Sequence, residues 1–289
     1  MNAVSQAVQL TKQPTEAGPF LKWAGGKGQL LEQLSKYFPT KFERYFEPFA
    51  GSAAVFFHFV RSRGQMPATL IDANKELINC FEIVRASLDE LIPKLREHER
   101  NHAEKYYYKI RSRTLNELSK IDRAARFIYL NKTCYNGLYR VNSRGQFNVP
   151  IGSYQNPRIF DEENLRAVSK ALKGVALYAG HFSRVLKLAV AGDFVYFDPP
   201  YYTESNGFTG YAVSESGKAN FGAYDHRMLR NVAGELVAKG CHVVLSNSDT
   251  AFIRQIYKGF SQRGVEARRF INCNGAGRQH VTELVIIGK

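Results

Sequence analysis

Residues 45–72 read YFEPFAGSAAVFFHFVRSRGQMPATLID, and the order of apolar and turn-forming residues in this stretch decides the fold class. Tyr45 and Phe46 make a short buried strand that runs into the turn Glu47, Pro48, Phe49, Ala50, Gly51, Ser52. Ala53 to Val60 is an apolar helix, and Thr69 to Ile71 is a second strand that stops at Asp72. Strand, turn, helix, strand, acid is the first half of a nucleotide-binding α/β unit, with the acid about 20 residues past the glycine turn. Small residues in the turn let a ligand approach the backbone, and Asp72 can hydrogen-bond two ribose hydroxyls; the plainer reading of Asp72 as a helix cap stays open beside it. No G-x-G-x-x-G is present, which makes a mononucleoside such as an adenosyl group a better fit than a dinucleotide.

Working outward, Leu30, Leu31, Leu34 and Tyr37 recur at helical spacing ahead of Pro39. From Lys75 to about Lys120 the pattern is helical and strongly charged. The character changes at Phe127. The segment Tyr129 to Tyr154 sets Asn131, Lys132, Tyr135, Asn136, Arg140, Asn142, Arg144 and Asn148 among glycines and aromatics, a composition too polar for a core element and suited to a nucleic-acid surface. The α/β rhythm resumes with the strand Asp193 to Phe197, which stops at Asp198, Pro199, Pro200, Tyr201, Tyr202. Residues 203–223 read as a loop. A helix from about Asp225 to Lys239, a strand His242 to Leu245 ending in Ser246 and Asn247, a helix Thr250 to Lys258 and a closing strand Glu283 to Ile287 complete the pattern.

The chain of 289 residues, 44% hydrophobic, is long enough for one large α/β domain with a smaller insertion. No uncharged apolar run approaches the roughly 20 residues of a membrane span, and the polar stretch Met1 to Gly18 has no apolar centre. It is expected to be a disordered leader of a cytoplasmic protein. Cys80, Cys134, Cys241 and Cys273 lie far apart without a C-x-x-C pair, so reduced thiols are expected rather than a zinc site or disulfides. The formal charge of +14 raises the expectation of a polyanionic partner without saying which.

The sharpest chemical signal is Asp198, Pro199, Pro200, Tyr201 at the carboxyl end of a strand, where open α/β sheets place their ligands. An exocyclic ring amine is a poor nucleophile because its lone pair is delocalised. A carboxylate and a backbone carbonyl accepting its two hydrogens restore density on nitrogen, and prolines hold that carbonyl without adding a donor. Tyr201 would stack on the base. The opening block Phe20 to Gly28 invites comparison with a phosphate-binding loop, but a Walker motif ending at Lys27 needs glycine where Leu21 stands and Ser or Thr where Gly28 stands. Trp23 and Lys27 around a double glycine instead suit a zwitterionic amino acid.

Together these blocks resemble the Dam-type family of DNA adenine methyltransferases in order, over nearly everything from Phe20 to Ile287. The resemblance implies an α/β, Rossmann-like S-adenosylmethionine-dependent methyltransferase sheet with an inserted, mainly helical DNA-recognition subdomain. It implies a leader at 1–18, a catalytic domain at 19–75 and 171–289, and a target-recognition subdomain at 76–170. It carries S-adenosylmethionine contacts to Trp23, Lys27, Asp72 and Asp198, with Phe49 in the turn counted beside them, and gives Asp198, Pro199 and Tyr201 the target adenine. Within Tyr135 to Tyr154 it makes Asn136, Leu138, Arg140, Pro150 and Tyr154 candidate contacts to double-stranded DNA, at GATC or a close relative. Arginine suits guanine because its fork reaches O6 and N7 together. No metal is expected, and oligomeric state is left open, a monomer being allowed. Two rival readings are a methyltransferase acting on RNA or an amide nitrogen, against which the 135–154 segment counts, and a catalytically silent DNA-binding module, against which the complete set of site residues counts.

Overall fold

The computed structural model describes residues 16–23, 27, 30–204, 221–268 and 280–289. In chain order these form α1 (Leu31–Leu34), β1 (Tyr45–Glu47), α2 (Ala54–Arg63), β2 (Ala68–Asp72), α3 (Lys75–Ala86), α4 (Leu88–Arg100), α5 (Glu104–Ser112), α6 (Lys120–Thr133) and α7 (Glu162–Ala171). There follow β3 (Ala176–Ala179), β4 (Phe194–Phe197), α8 (Ala223–Ala238), β5 (His242–Ser248), α9 (Ala251–Ile256), β6 (Ser261–Arg268) and β7 (His280–Gly288).

The strands form one seven-stranded sheet in the order β3-β2-β1-β4-β5-β7-β6. The first five run parallel, and β7 lies antiparallel between β5 and β6. Strands β1 and β4 are buried at every residue, because a parallel sheet is covered on both faces and its central strands read as continuous apolar runs. Alternate residues feed two cores. Tyr45, Leu70, Phe194, Tyr196 and Val244 face one; Phe46, Ile71, Val195, Phe197 and Leu245 face the other. The chain winds from β1 to β2 and β3 on one side and to β5 on the other. The order therefore switches between β1 and β4, and ligands of such sheets bind outside the carboxyl ends at that point.

Residues 75–171 are mainly helical, as expected, and they are not hinged off the sheet. Leu77, Ile78, Phe81 and Val84 of α3 share a core with Tyr45 and Leu70, and Asn74 starts α3 by accepting from the backbone N–H groups of Glu76 and Leu77. Ser119 and Asp161 cap α6 and α7 in the same way. What stands apart is the stretch after α6, where Cys134, Phe147 and Val149 join Tyr107, Ile110, Tyr129 and Leu130 in a small separate core.

Two expectations need correction, and two strands have no counterpart in the sequence reading. The leader cannot extend to Gly18, since Ala17 is buried and Gly18 exchanges hydrogen bonds with the Asn164 side chain at both its N–H and its carbonyl; residues 1–15 lie outside the described residues. The polar segment does not begin at Tyr129, because Tyr129, Leu130, Asn131 and Thr133 are the buried last turns of α6. Strands β3 and β6 went unread. They are the two edges of the sheet, and an edge strand such as Ser261–Arg268, with its alternating charges, lacks the apolar run that marks a central strand. Cys80, Cys134 and Cys241 are buried free thiols, Cys273 lies outside the described residues, and no helix among them is long and apolar enough to cross a membrane.

Candidate active site

Strand β4 ends where its apolar run meets Asp198, and Pro199 and Pro200, lacking N–H donors, stop the ladder there. Asp198 Oδ1 receives the Lys27 ammonium at 2.6 Å and the Ser246 hydroxyl at 2.9 Å, while Ser246 also meets the Tyr196 hydroxyl at 3.0 Å. Lys27 Nζ lies 4.7 Å from the centre of the Tyr201 ring. Tyr201 donates its hydroxyl to Glu283 Oε2 at 2.5 Å. Burial, with Asp198 and Glu283 close by, lifts the Tyr201 hydroxyl well above its ordinary range, so it remains a neutral donor. The next residue is fixed through its backbone: Tyr202 N–H donates to Asn247 Oδ1 at 3.1 Å and the Ser248 hydroxyl donates to the Tyr202 carbonyl at 2.7 Å. A carboxylate and a fixed aromatic ring thus meet at one strand end, separated in sequence by two prolines.

The neighbouring ends of β1 and β2 supply a second constellation. Gly51 has φ of +47°, and a Cβ there would stand 2.8 Å from Trp23 Cδ1, so the turn needs glycine for both conformation and space. Gly51 N–H donates to Asp72 Oδ2 at 3.0 Å and Asn74 N–H to Oδ1 at 2.8 Å. Burial raises the Asp72 pKa against these two bonds, which lower it. Each oxygen keeps acceptor capacity for a further donor. Phe49 stacks on Phe182 with centroids 5.2 Å apart and meets Phe221 edge-on at 5.6 Å. Trp23 stacks with Phe127 and with Tyr139 at 6.4 and 6.1 Å.

Beneath both constellations lies Glu47, whose Oε2 accepts from the Tyr45 hydroxyl at 2.9 Å and from Phe56 N–H at 3.2 Å. Burial, reinforced by the Asp198 and Asp72 charges, pushes its pKa to about 8, so it holds a proton at neutral pH. The sequence reading put Glu47 in the turn but gave it no role. It also gave no role to Glu283, the start of the closing strand, or to Phe182, neither of which carries a motif; of the supporting residues it noted only the strand end Ser246 and Asn247.

The 134–154 segment forms an irregular hairpin pinned to the opening block. Asn131 Oδ1 accepts from Lys22 N–H at 2.8 Å, and its Nδ2 donates to the carbonyls of Lys22 and Gly137 at 2.7 and 3.2 Å. Of the five residues expected to contact DNA, Asn136, Pro150 and Tyr154 are exposed, and Leu138 and Arg140 are half-buried. Asn136 is left-handed, with φ of 53°. The Pro150 carbonyl accepts from Tyr135 N–H at 2.9 Å, closing the base of the hairpin. Arg140 is clamped by Asn148, with Nε to Oδ1 at 2.7 Å and Nη2 to the carbonyl at 3.2 Å. Asn142 closes the tip by accepting from Arg144 N–H and Gln146 N–H, each at 3.0 Å. Lys22, which the sequence reading left unassigned, sits 3.8 Å over the Tyr154 ring, and burial beside it pushes Lys132 down to about 8. A cavity of about 660 Å³ between α5, α6 and the hairpin is lined by Arg111, Arg113, Arg126 and Arg144 among others.

The reversing parallel sheet and the acid-Pro-Pro-Tyr turn at its switch point define a Rossmann-like methyltransferase. The chain belongs to the D12 class N6 adenine-specific DNA methyltransferase family, whose model matches residues 23–271. It is an adenine-specific DNA methyltransferase. It is 40% identical to the Type II methyltransferase M.MjaIII of Methanocaldococcus jannaschii, over 94% of this chain and 99% of that one. It is 35% identical to the DNA adenine methylase of Haemophilus influenzae, over 93% of each chain, and 35% identical to that of Escherichia coli, over 93% of this chain and 95% of the relative.

Proposed function

We propose that the protein transfers the methyl group of S-adenosylmethionine to N6 of a flipped-out adenine in double-stranded DNA, at GATC or a closely related site. The observation that carries this reading is the placement of Asp198 and Tyr201, with the Pro199–Pro200 turn between them, at the carboxyl end of β4 beside the switch point, and of the half-buried Asp72 at the carboxyl end of β2 on the other side of β1. Names of relatives such as DNA adenine methylase support the target, and the hairpin residues Asn136 to Tyr154 support a duplex substrate.

The residues present fit the cofactor. Asp72 retains acceptor capacity for ribose hydroxyls, the stacked Phe49 and Phe182 rings offer an apolar surface for a purine, Trp23 forms an aromatic wall, and Lys27 supplies a buried cation for a carboxylate. Bound there, S-adenosylmethionine supplies an electrophilic methyl group on a sulfonium. Asp198 and the Pro199 carbonyl take the two N–H groups of the target amine, concentrate its lone pair, and favour the positive charge that develops on nitrogen. Tyr201 holds the extruded base by stacking. Displacement is in line and direct, with no covalent intermediate on the protein.

The test is methylation-sensitive digestion of DNA from cells expressing the protein, compared at GATC and at scrambled sites. Protection at GATC alone is expected. Protection at another adenine-containing site would overturn the specificity, and N6-methylation found only in RNA would overturn the substrate.

A further inference from the structure

We infer that Glu283 is a positioning residue for the methyl-transfer step, holding the Tyr201 ring on the face where the target base must stack. The inference rests on the reading of Tyr201 as the base-stacking residue and adds to it the group that fixes the ring.

A tyrosine side chain at the end of a turn has two free torsions, and a stacking platform must have both set before the base arrives. Tyr201 is restrained at its near end by Pro199 and Pro200. Its far end is tied by the 2.5 Å hydrogen bond from the phenol to Glu283 Oε2. Charge-assisted O–H···O⁻ bonds are among the shortest and strongest in proteins, and the raised Tyr201 pKa keeps the proton on the phenol, where the bond needs it.

Glu283 is itself well anchored. It is 8% exposed and lies on β7, opposite Ser248 of β5 and Val265 of β6, in a strand paired on both sides. The other supports of the turn come from the same place: Ser246 holds Asp198, and Asn247 and Ser248 hold the backbone of Tyr202. The antiparallel β5–β7 pair therefore fixes the carboxylate, the ring and the following backbone together. The bond also donates electron density toward the phenol ring, strengthening its attraction for the positive charge that develops on the stacked amine.

The test is a mutant cycle on single-turnover methylation of an adenine-containing duplex, with a second duplex carrying 2-aminopurine in place of the target adenine to report base flipping and circular dichroism to confirm folding. If Glu283 acts through the Tyr201 hydroxyl, Glu283→Ala and Tyr201→Phe each slow the step by about tenfold. The double variant should be no slower than either, and Glu283→Gln, which keeps an acceptor, should recover most of the rate. Affinity for DNA should hold while the 2-aminopurine signal falls in Glu283→Ala and Tyr201→Phe alike. Losses that multiply to about a hundredfold in the double variant would show that Glu283 acts elsewhere and overturn the inference, as would wild-type rates in Glu283→Ala. Tyr201→Ala separates the two levels: if it flips and methylates normally, the stacking role of Tyr201 falls and with it the basis for Glu283. If Tyr201→Ala is impaired while Glu283→Ala is not, the stacking role stands and the inference alone fails.

Discussion

The turn at 198–202 and the hairpin at 134–154 lean on the same opening block, Lys27 against Asp198 and Lys22 against Tyr154, yet they are held in opposite ways. The turn is fixed from outside, by Ser246, Asn247 and Ser248 on β5 and Glu283 on β7. The hairpin is held largely from within, Arg140 by Asn148, the tip by Asn142 and the base by the bond from Tyr135 to Pro150. From outside, Asn131 of α6 bonds to the Gly137 carbonyl and to Lys22, and Tyr107 and Arg111 of α5 donate to the Val149 carbonyl. The carboxylate, ring and backbone of the turn are thereby tied to a buried part of the sheet, while the hairpin can change beside it at little cost to the sheet.

The strongest challenge to that contrast is Asp198→Asn. The change preserves shape but removes the charge that Lys27 and Ser246 surround, and an amide supports the amine's lone pair poorly. Single-turnover methylation should fall by on the order of a hundredfold or more, the range seen when a positioned acid-base or oriented polar group is lost. Affinity for DNA should change far less, because phosphate contacts elsewhere dominate it. Quenched-flow methylation alongside a filter-binding isotherm separates the two, and a near-normal single turnover would remove Asp198 from the chemistry.

The second test concerns the support beneath the site. Glu47 has a pKa of about 8 in the folded protein against 4.5 for the free side chain. Between those values the folded chain binds a proton that the unfolded chain releases, so the associated stability is complete below 4.5 and is lost progressively up to about pH 8. Glu47→Gln keeps an acceptor for Tyr45 and Phe56 without this linkage. The variant should match the wild type near pH 4.5 and exceed it by a few kcal/mol at pH 8. Urea denaturation across that range measures the gap; a gap that fails to widen would mean Glu47 is ionised in the fold.

The same contrast governs what could be read from the sequence. The central strands and the 45–52 turn were legible because buried parallel strands are unbroken apolar runs ending at Gly, Pro or an acid, and Asp72, Asp198 and Tyr201 fall at those ends. The supports were not, since a Glu in a strand such as Glu47 or Glu283 reads as an outward-facing residue until its neighbours across the sheet are known. The 134–154 hairpin stands out in the sequence by composition alone. Its pairing is confined to isolated bridges, Cys134 with Ile151 and Val141 with Phe147, which leave no period in the sequence. The edge strands β3 and β6 were missed for the same lack of pattern.

Asp72→Ala probes the proposed cofactor site. Removing a charge-assisted contact costs about 1.5 to 3 kcal/mol, or roughly ten- to a hundredfold in S-adenosylmethionine affinity. Because Asp72 also accepts from Gly51 and Asn74 N–H, Asp72→Asn, which keeps an acceptor oxygen, should lose less. Calorimetry on both folded variants decides it, and unchanged affinity in Asp72→Ala would place the ribose elsewhere.

Arg140 gives the smallest and most local effect, and it tests the hairpin side of the comparison directly. If its guanidinium reads a guanine, Arg140→Ala should relax discrimination at one base pair by about 1 to 3 kcal/mol and leave the other positions as they were, whereas a phosphate contact would weaken all sequences alike. The clamp refines the expectation. Asn148 engages Nε and Nη2 of Arg140, so part of the guanidinium's hydrogen-bonding capacity is spent on aiming it, and the side chain reaches the DNA with less rotamer freedom to lose. Asn148→Ala should then blunt preference at the same base pair by a smaller amount, with the Arg140→Ala and Asn148→Ala double variant no worse than Arg140→Ala. Methylation rates on a panel of singly substituted duplexes measure all three. If Asn148→Ala shifts preference at a different base pair, or all substituted sites decline in parallel, Arg140 positions the backbone and sequence reading belongs to other residues of the hairpin.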